Sequence, residues 1–180
     1  MAEESNTHMK IAMADVMGIL TLSMFTFPLA TFGLGMDTIS LVIAIGPWVG
    51  LLSLVTAILM FFNENLLGTA LFGPLAIFFF TIMPPPSGEG AAVLCVLIGI
   101  VVFIDMLLSL AQPVKLLPIL LGIAVISFFV TAAWFWGTDG TKEIMGVLWM
   151  IVSLIAFYMS AAIVMLVLKG KQVLPLLIKA

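Results

Sequence analysis

The chain has no arginine, one histidine and one cysteine, and only 8% of its 180 residues are charged. A soluble domain carries about 25% charged residues, so this composition cannot cover a water-facing surface. Six lysines with no basic stripe argue against nucleic acid as a partner. Cys95, alone in an apolar run, allows neither an intrachain disulfide nor a thiolate metal cluster. His8 sits in a polar leader and argues against a histidine-ligated metal or haem, and no cofactor is expected. Paired carboxylates, a Ser/His pair and a phosphate-binding loop are all missing, so enzyme chemistry has nothing to rest on.

What the chain has is hydrocarbon. It is 64% hydrophobic, with a mean hydropathy of +1.37. Residues 145–168 carry no charge, and roughly 20 apolar residues suffice to cross a ~30 Å hydrocarbon core as a helix. Lys169 and Lys171 follow at once and place that end on the cytoplasmic side. The leader carries Glu3 and Glu4 where a secretory signal would be positive, so the first apolar stretch is read as retained.

Six apolar segments are marked, at residues 11–34, 39–62, 66–83, 91–111, 116–137 and 144–168. Their connections are too short for a soluble domain and force consecutive helices to be antiparallel neighbours. The expected architecture is an all-α membrane protein of six transmembrane helices in three antiparallel hairpins. It is organised as a polar leader at 1–10, a six-helix domain at 11–175 and a short tail at 176–180. Lys10, Lys115, Lys169, Lys171 and Lys179 collect on one side, against Lys142 on the other. That asymmetry predicts both termini in the cytoplasm, with the chain in the inner or plasma membrane.

Pro28, Pro47 and Pro74 fall inside the first three segments, and Pro118 opens the fifth. Each interior proline removes a backbone hydrogen bond and frees a carbonyl, which in lipid needs a partner. Small residues four apart (Ala14 and Gly18, Gly46 and Gly50, Ser127 and Thr131, Ala156 and Ser160) predict close helix contacts. Asp105 lies one to two turns inside the fourth segment's cytoplasmic end. A carboxylate within a span costs on the order of 3 kcal/mol on insertion scales, so it must be protonated, paired with Lys115 or lining water. It is a candidate for proton coupling or gating, or an interfacial acid paired with a lysine. Asp15 reads as an interfacial cap. The remaining hydroxyls, Thr21, Ser23, Thr69 and Tyr158 among them, are expected mostly to bond carbonyls of their own helix.

Several stretches resemble one family. Gly146, Ala156-Phe157-Tyr158 and Gly170-Lys171-Gln172-Val173-Leu174-Pro175 are similar to the last helix and following turn of the acetate/succinate transporter family (the GPR/FUN/YaaH group). Met17-Gly18, Asp37 and the run from Asn65 to Phe72 agree with it in order. The resemblance implies a six-helix protomer in a homo-hexameric ring, each subunit passing small monocarboxylates or succinate through an apolar constriction. By this alignment the constriction falls at Ile19, Leu75 and Ala124. Beside it, Thr21, Ser23, Thr69 and Tyr158 are the candidate polar groups lining a solute path, and Asp105 is the candidate for proton coupling or gating.

The chain also departs from the family. The Asn-Pro-Ala-Pro-Leu-Gly signature is absent, and Lys10-Ile11-Ala12-Met13-Ala14-Asp15 stands in its place. Asparagines of the first helix are replaced by residues such as Phe27, so the throat is more apolar and favours neutral species. The expected function is a channel or transporter for acetate or a similar monocarboxylate moving with a proton. A urea or short-amide channel, or an integral subunit of a larger complex without transport, are the alternatives.

Overall fold

The computed structural model describes residues 14–82 and 88–176. The polar leader, the first residues of the first apolar segment and residues 177–180 of the tail lie outside them. Six helices follow one another: α1 (Ala14–Gly33), α2 (Ile39–Phe62), α3 (Leu66–Ile82), α4 (Gly88–Ser109), α5 (Leu116–Phe135) and α6 (Thr141–Lys169). Five are long and apolar enough to cross a membrane, and α3, at 17 residues, is shorter. The chain is a multi-pass membrane protein.

Two helices begin three residues earlier than apolarity alone predicts, α4 at Gly88 and α6 at Thr141. Each carries an acid in its first turn, Glu89 and Glu143, where the positive end of the helix dipole favours negative charge. Hydropathy ends a segment at a charge, whereas the helix uses that charge. Pro118 sits in the first turn of α5, where the amide it lacks would have no partner anyway. Pro28, Pro47 and Pro74 lie inside helices that continue past them.

The turns are tight for a backbone reason. After α5, Gly137 donates to the Trp134 carbonyl at 2.9 Å and Thr138 to Ala133 at 3.1 Å, with Gly137 at φ +79°. This paired closure needs a left-handed residue just past the helix, and glycine takes that conformation without a Cβ clash. Gly35 closes α1 in the same way. After α2 the position is held by Glu64, at φ 58°.

The helices close into a ring. Each packs on its neighbours in sequence, and α6 returns to pack on α1. Large apolar side chains such as Trp48, Phe62, Leu66 and Ile77 face outward, as a bundle solvated by lipid requires. The first turn of α1, the last turns of α2 and α6, the start of α3 and the α4–α5 link share one end of the ring, which we call the termini side. The opposite end gathers the last turn of α1, the start of α2, the end of α3 and the end of α5.

Candidate functional site

Three cavities lie in series along the axis of the ring. The termini-side cavity measures about 150 Å³ and is lined by Asp15, Ile19, Asn65, Leu71, Phe72, Gln112 and Met159, among others. The far-side cavity measures about 190 Å³, between Phe32, Ile39, Ile82, Cys95, Trp134 and Phe135. Between them is a space of about 20 Å³ bounded by Leu22, Phe25, Thr26, Leu29, Phe78, Phe79, Phe128, Thr131 and Trp149. A site of that size holds about one water molecule. We call this narrow space the throat.

Aromatic rings build the throat. Phe25 of α1 meets Phe79 at 4.7 Å between centroids, and Phe79 meets Phe78 at 5.4 Å. Phe78 meets Phe128 of α5 at 5.4 Å, and Phe128 meets Trp149 of α6 at 4.9 Å. Every contact is edge-to-face, an arrangement that adds about 0.5–1.5 kcal/mol per pair beyond burial. Five rings from four helices thus form one belt across the bundle. The indole Nε1 of Trp149 donates to Thr131 Oγ1 at 2.9 Å and fixes the last ring in place.

The residues named from the resemblance take up distinct places. Ile19 lines the termini-side cavity, and Leu22, one turn on, lines the throat. Leu75 lies between Leu71 and Phe72 of the cavity and Phe78 of the throat; Ala124 lies between Leu117 and Phe128 in the same manner. Both are buried, at 2% and 4% exposure, and line none of the three cavities.

The polar candidates are spent mainly on backbone. Thr21 donates to Met17 at 2.8 Å and Ser23 to Ile19 at 2.9 Å. Thr69 donates to the Asn65 carbonyl at 3.0 Å. Tyr158 is 37% exposed, and its hydroxyl donates to the Pro175 carbonyl at 2.9 Å. That bond fastens the segment after α6 to its outer side, and Tyr158 lines none of the three cavities. Asp105 is 2% exposed, with Oδ2 buried and without a hydrogen-bond partner. Lys115 is not its partner, because the ammonium donates to Leu110 at 2.7 Å and to Gln112 at 2.9 Å. Among the described residues no three His, Cys, Asp or Glu side chains converge as a metal site would require.

Asp15, expected as an interfacial cap, lines the termini-side cavity. Asp15 Oδ1 accepts from Asn65 Nδ2 at 2.9 Å, and Asn65 Oδ1 accepts from the Gly68 amide at 3.0 Å. The start of α1 is thereby tied to the start of α3, at the rim of the termini-side cavity.

Comparison of the sequence with protein-family models and with curated proteins finds no match. A solved structure, "Structure of the bacterial acetate channel SatP", does match, with a TM-score of 0.85 over 93% of this chain and 99% of that one. The chain shares the fold of that structure. Sequence identity to SatP is 18%, so the likeness is one of architecture. What the two proteins share is the overall arrangement, over nearly the whole of both chains.

Proposed function

We propose that the chain is a small-solute membrane channel, with a path inside each protomer that passes acetate or a similar monocarboxylate together with a proton. The observation that carries this reading is the series of three cavities inside one closed ring of helices, narrowing to a single-molecule throat. A dead structural subunit gains nothing from wide chambers at both ends of its own axis. The fold shared with an acetate channel supports the solute class.

In this reading Ile19, Leu75 and Ala124 strip water from the solute as it passes between the termini-side cavity and the belt, a barrier of the dewetting kind. The rings of the belt must rotate for a two-carbon molecule to pass, so the structure represents the closed form. Lys169 and Lys171, at the end of α6, and Lys115, in the α4–α5 link, support placing the termini side in the cytoplasm. The outward apolar surface, including Trp48 and Phe62, serves lipid and the neighbours of a homo-hexamer.

The test is uptake of labelled acetate into vesicles containing the purified protein, at acid pH. Uptake above that of empty vesicles supports the channel; equality with empty vesicles removes it. Mass measurement of the purified particle checks the hexamer independently of flux.

A further inference from the structure

The hydrogen-bonding groups along the path are unevenly committed, and the imbalance has a sign. In the throat, Thr26 Oγ1 donates to Leu22 at 3.0 Å, Thr131 Oγ1 donates to Ser127 at 2.6 Å, and the Trp149 indole donates to Thr131. Each strong donor of the throat is therefore already used, and the other walls are hydrocarbon. A carboxylate that sheds its water there finds nothing to replace it, and an unpaired buried charge is far costlier than an unpaired neutral group.

The termini-side cavity repeats the preference. Among the described residues Asp15 is the charged group lining it. The Gly68 amide, at the start of α3, would be a natural anion donor, but it is taken by Asn65 Oδ1. Asp15 and Gln112 line this one cavity. Between them the lining is apolar: Ile19, Leu71, Met159. Two cations stand near the path but do not line it. Lys115 is turned to the Leu110 and Gln112 carbonyls, and Lys142 sits 4.2 Å over the Phe32 ring at the far mouth. Glu64, in the α2–α3 turn, adds negative charge on the termini side.

We propose that the axis selects by charge and by donor capacity. It takes short, uncharged molecules that donate a hydrogen bond to Asp15 and accept one from Gln112, and it turns away carboxylate anions. Undissociated short carboxylic acids and their primary amides share this chemistry, so one path serves both. The inference rests on the channel reading above and narrows it: the acid crosses as the neutral molecule, and no separate proton route is needed.

The experiment compares labelled acetamide, whose charge is independent of pH, with labelled acetate in vesicles containing the full chain, each corrected for empty vesicles. Acetamide flux is expected to be the same at about pH 5 and about pH 8. The acetate component is expected to fall about tenfold per pH unit above the acid's own pKa, following the undissociated fraction. Asp15→Asn and Gln112→Leu are each expected to lower acetamide flux at least about fivefold, the loss of roughly one hydrogen bond. Gln112 lies in the α4–α5 link, so its variant remains informative should Asp15→Asn fail to fold. Acetate flux at about pH 8 equal to acetamide flux overturns the charge selection while leaving a channel. Unchanged acetamide flux in both variants overturns the assignment of the recognition pair. Absence of flux for both solutes in the parent protein overturns this proposal together with the channel reading beneath it.

Discussion

Gly33 of α1 and Gly146 of α6 touch backbone to backbone. A Cβ on Gly33 would lie 2.5 Å from the Gly146 Cα, and one on Gly146 would lie 2.7 Å from the Gly33 carbonyl carbon. No flexible side chain can give way there. Gly33→Ala or Gly146→Ala must push α1 and α6 apart, at a cost of about 1–3 kcal/mol each. Once the helices have separated, the second alanine has room, so the double variant costs less than the sum of the two. Unfolding midpoints in mixed detergent for the four proteins measure this. Strict additivity would show that the contact does not set the spacing.

Glu64 holds a left-handed conformation, at φ 58°, to close α2. A side chain in that region costs roughly 1–2 kcal/mol relative to glycine. Glu64→Gly should therefore raise stability by about 1 kcal/mol. A lowered unfolding midpoint would mean that the Glu64 side chain contributes more than its backbone strain costs.

Phe78 touches both Phe79 and Phe128, so it joins the α3 and α5 parts of the aromatic belt. Phe78→Ala should open the throat and raise solute flux several-fold, while lowering stability by about 3–5 kcal/mol. Flux and unfolding measured on one preparation separate the two effects. A folded variant with unchanged flux would move the rate-limiting barrier elsewhere, Leu75 being the next layer.

Asp105 is buried without a partner for Oδ2 and lines none of the three cavities. An acid inside a span costs on the order of 3 kcal/mol, so Asp105→Leu should be at least as stable as the parent. Its flux should also be unaltered. A stable variant that has lost flux would give Asp105 a part in gating from behind the path.

The number of helices and their order were legible because each polar interruption between apolar runs is short and distinct. Residues such as Glu89 and Glu143 blurred the helix starts, since a charge ends an apolar run but favours a first turn. The belt was not legible. In helices apolar on every side, Phe25, Phe78 and Phe128 carry no contrast with Phe61 or Phe62, which face outward. Lipid and protein interior are equally oily solvents, so the periodicity that locates a core in a water-soluble protein is erased. The contact of Gly33 with Gly146 was not legible for a related reason: their meeting depends on how α1 lies against α6. The family resemblance named Ile19, Leu75 and Ala124 as a constriction; Ile19 lines the termini-side cavity, while Leu75 and Ala124 line none of the three cavities. It also drew attention to Tyr158, whose hydroxyl the structure instead directs to Pro175.

The throat has room for about one water between two much larger chambers. In the proposed channel molecules would queue and cross in single file, so traffic from one face would obstruct traffic from the other. A bulkier look-alike that enters a chamber but cannot squeeze through would act as a stopper, plugging the passage only from the face on which it was added.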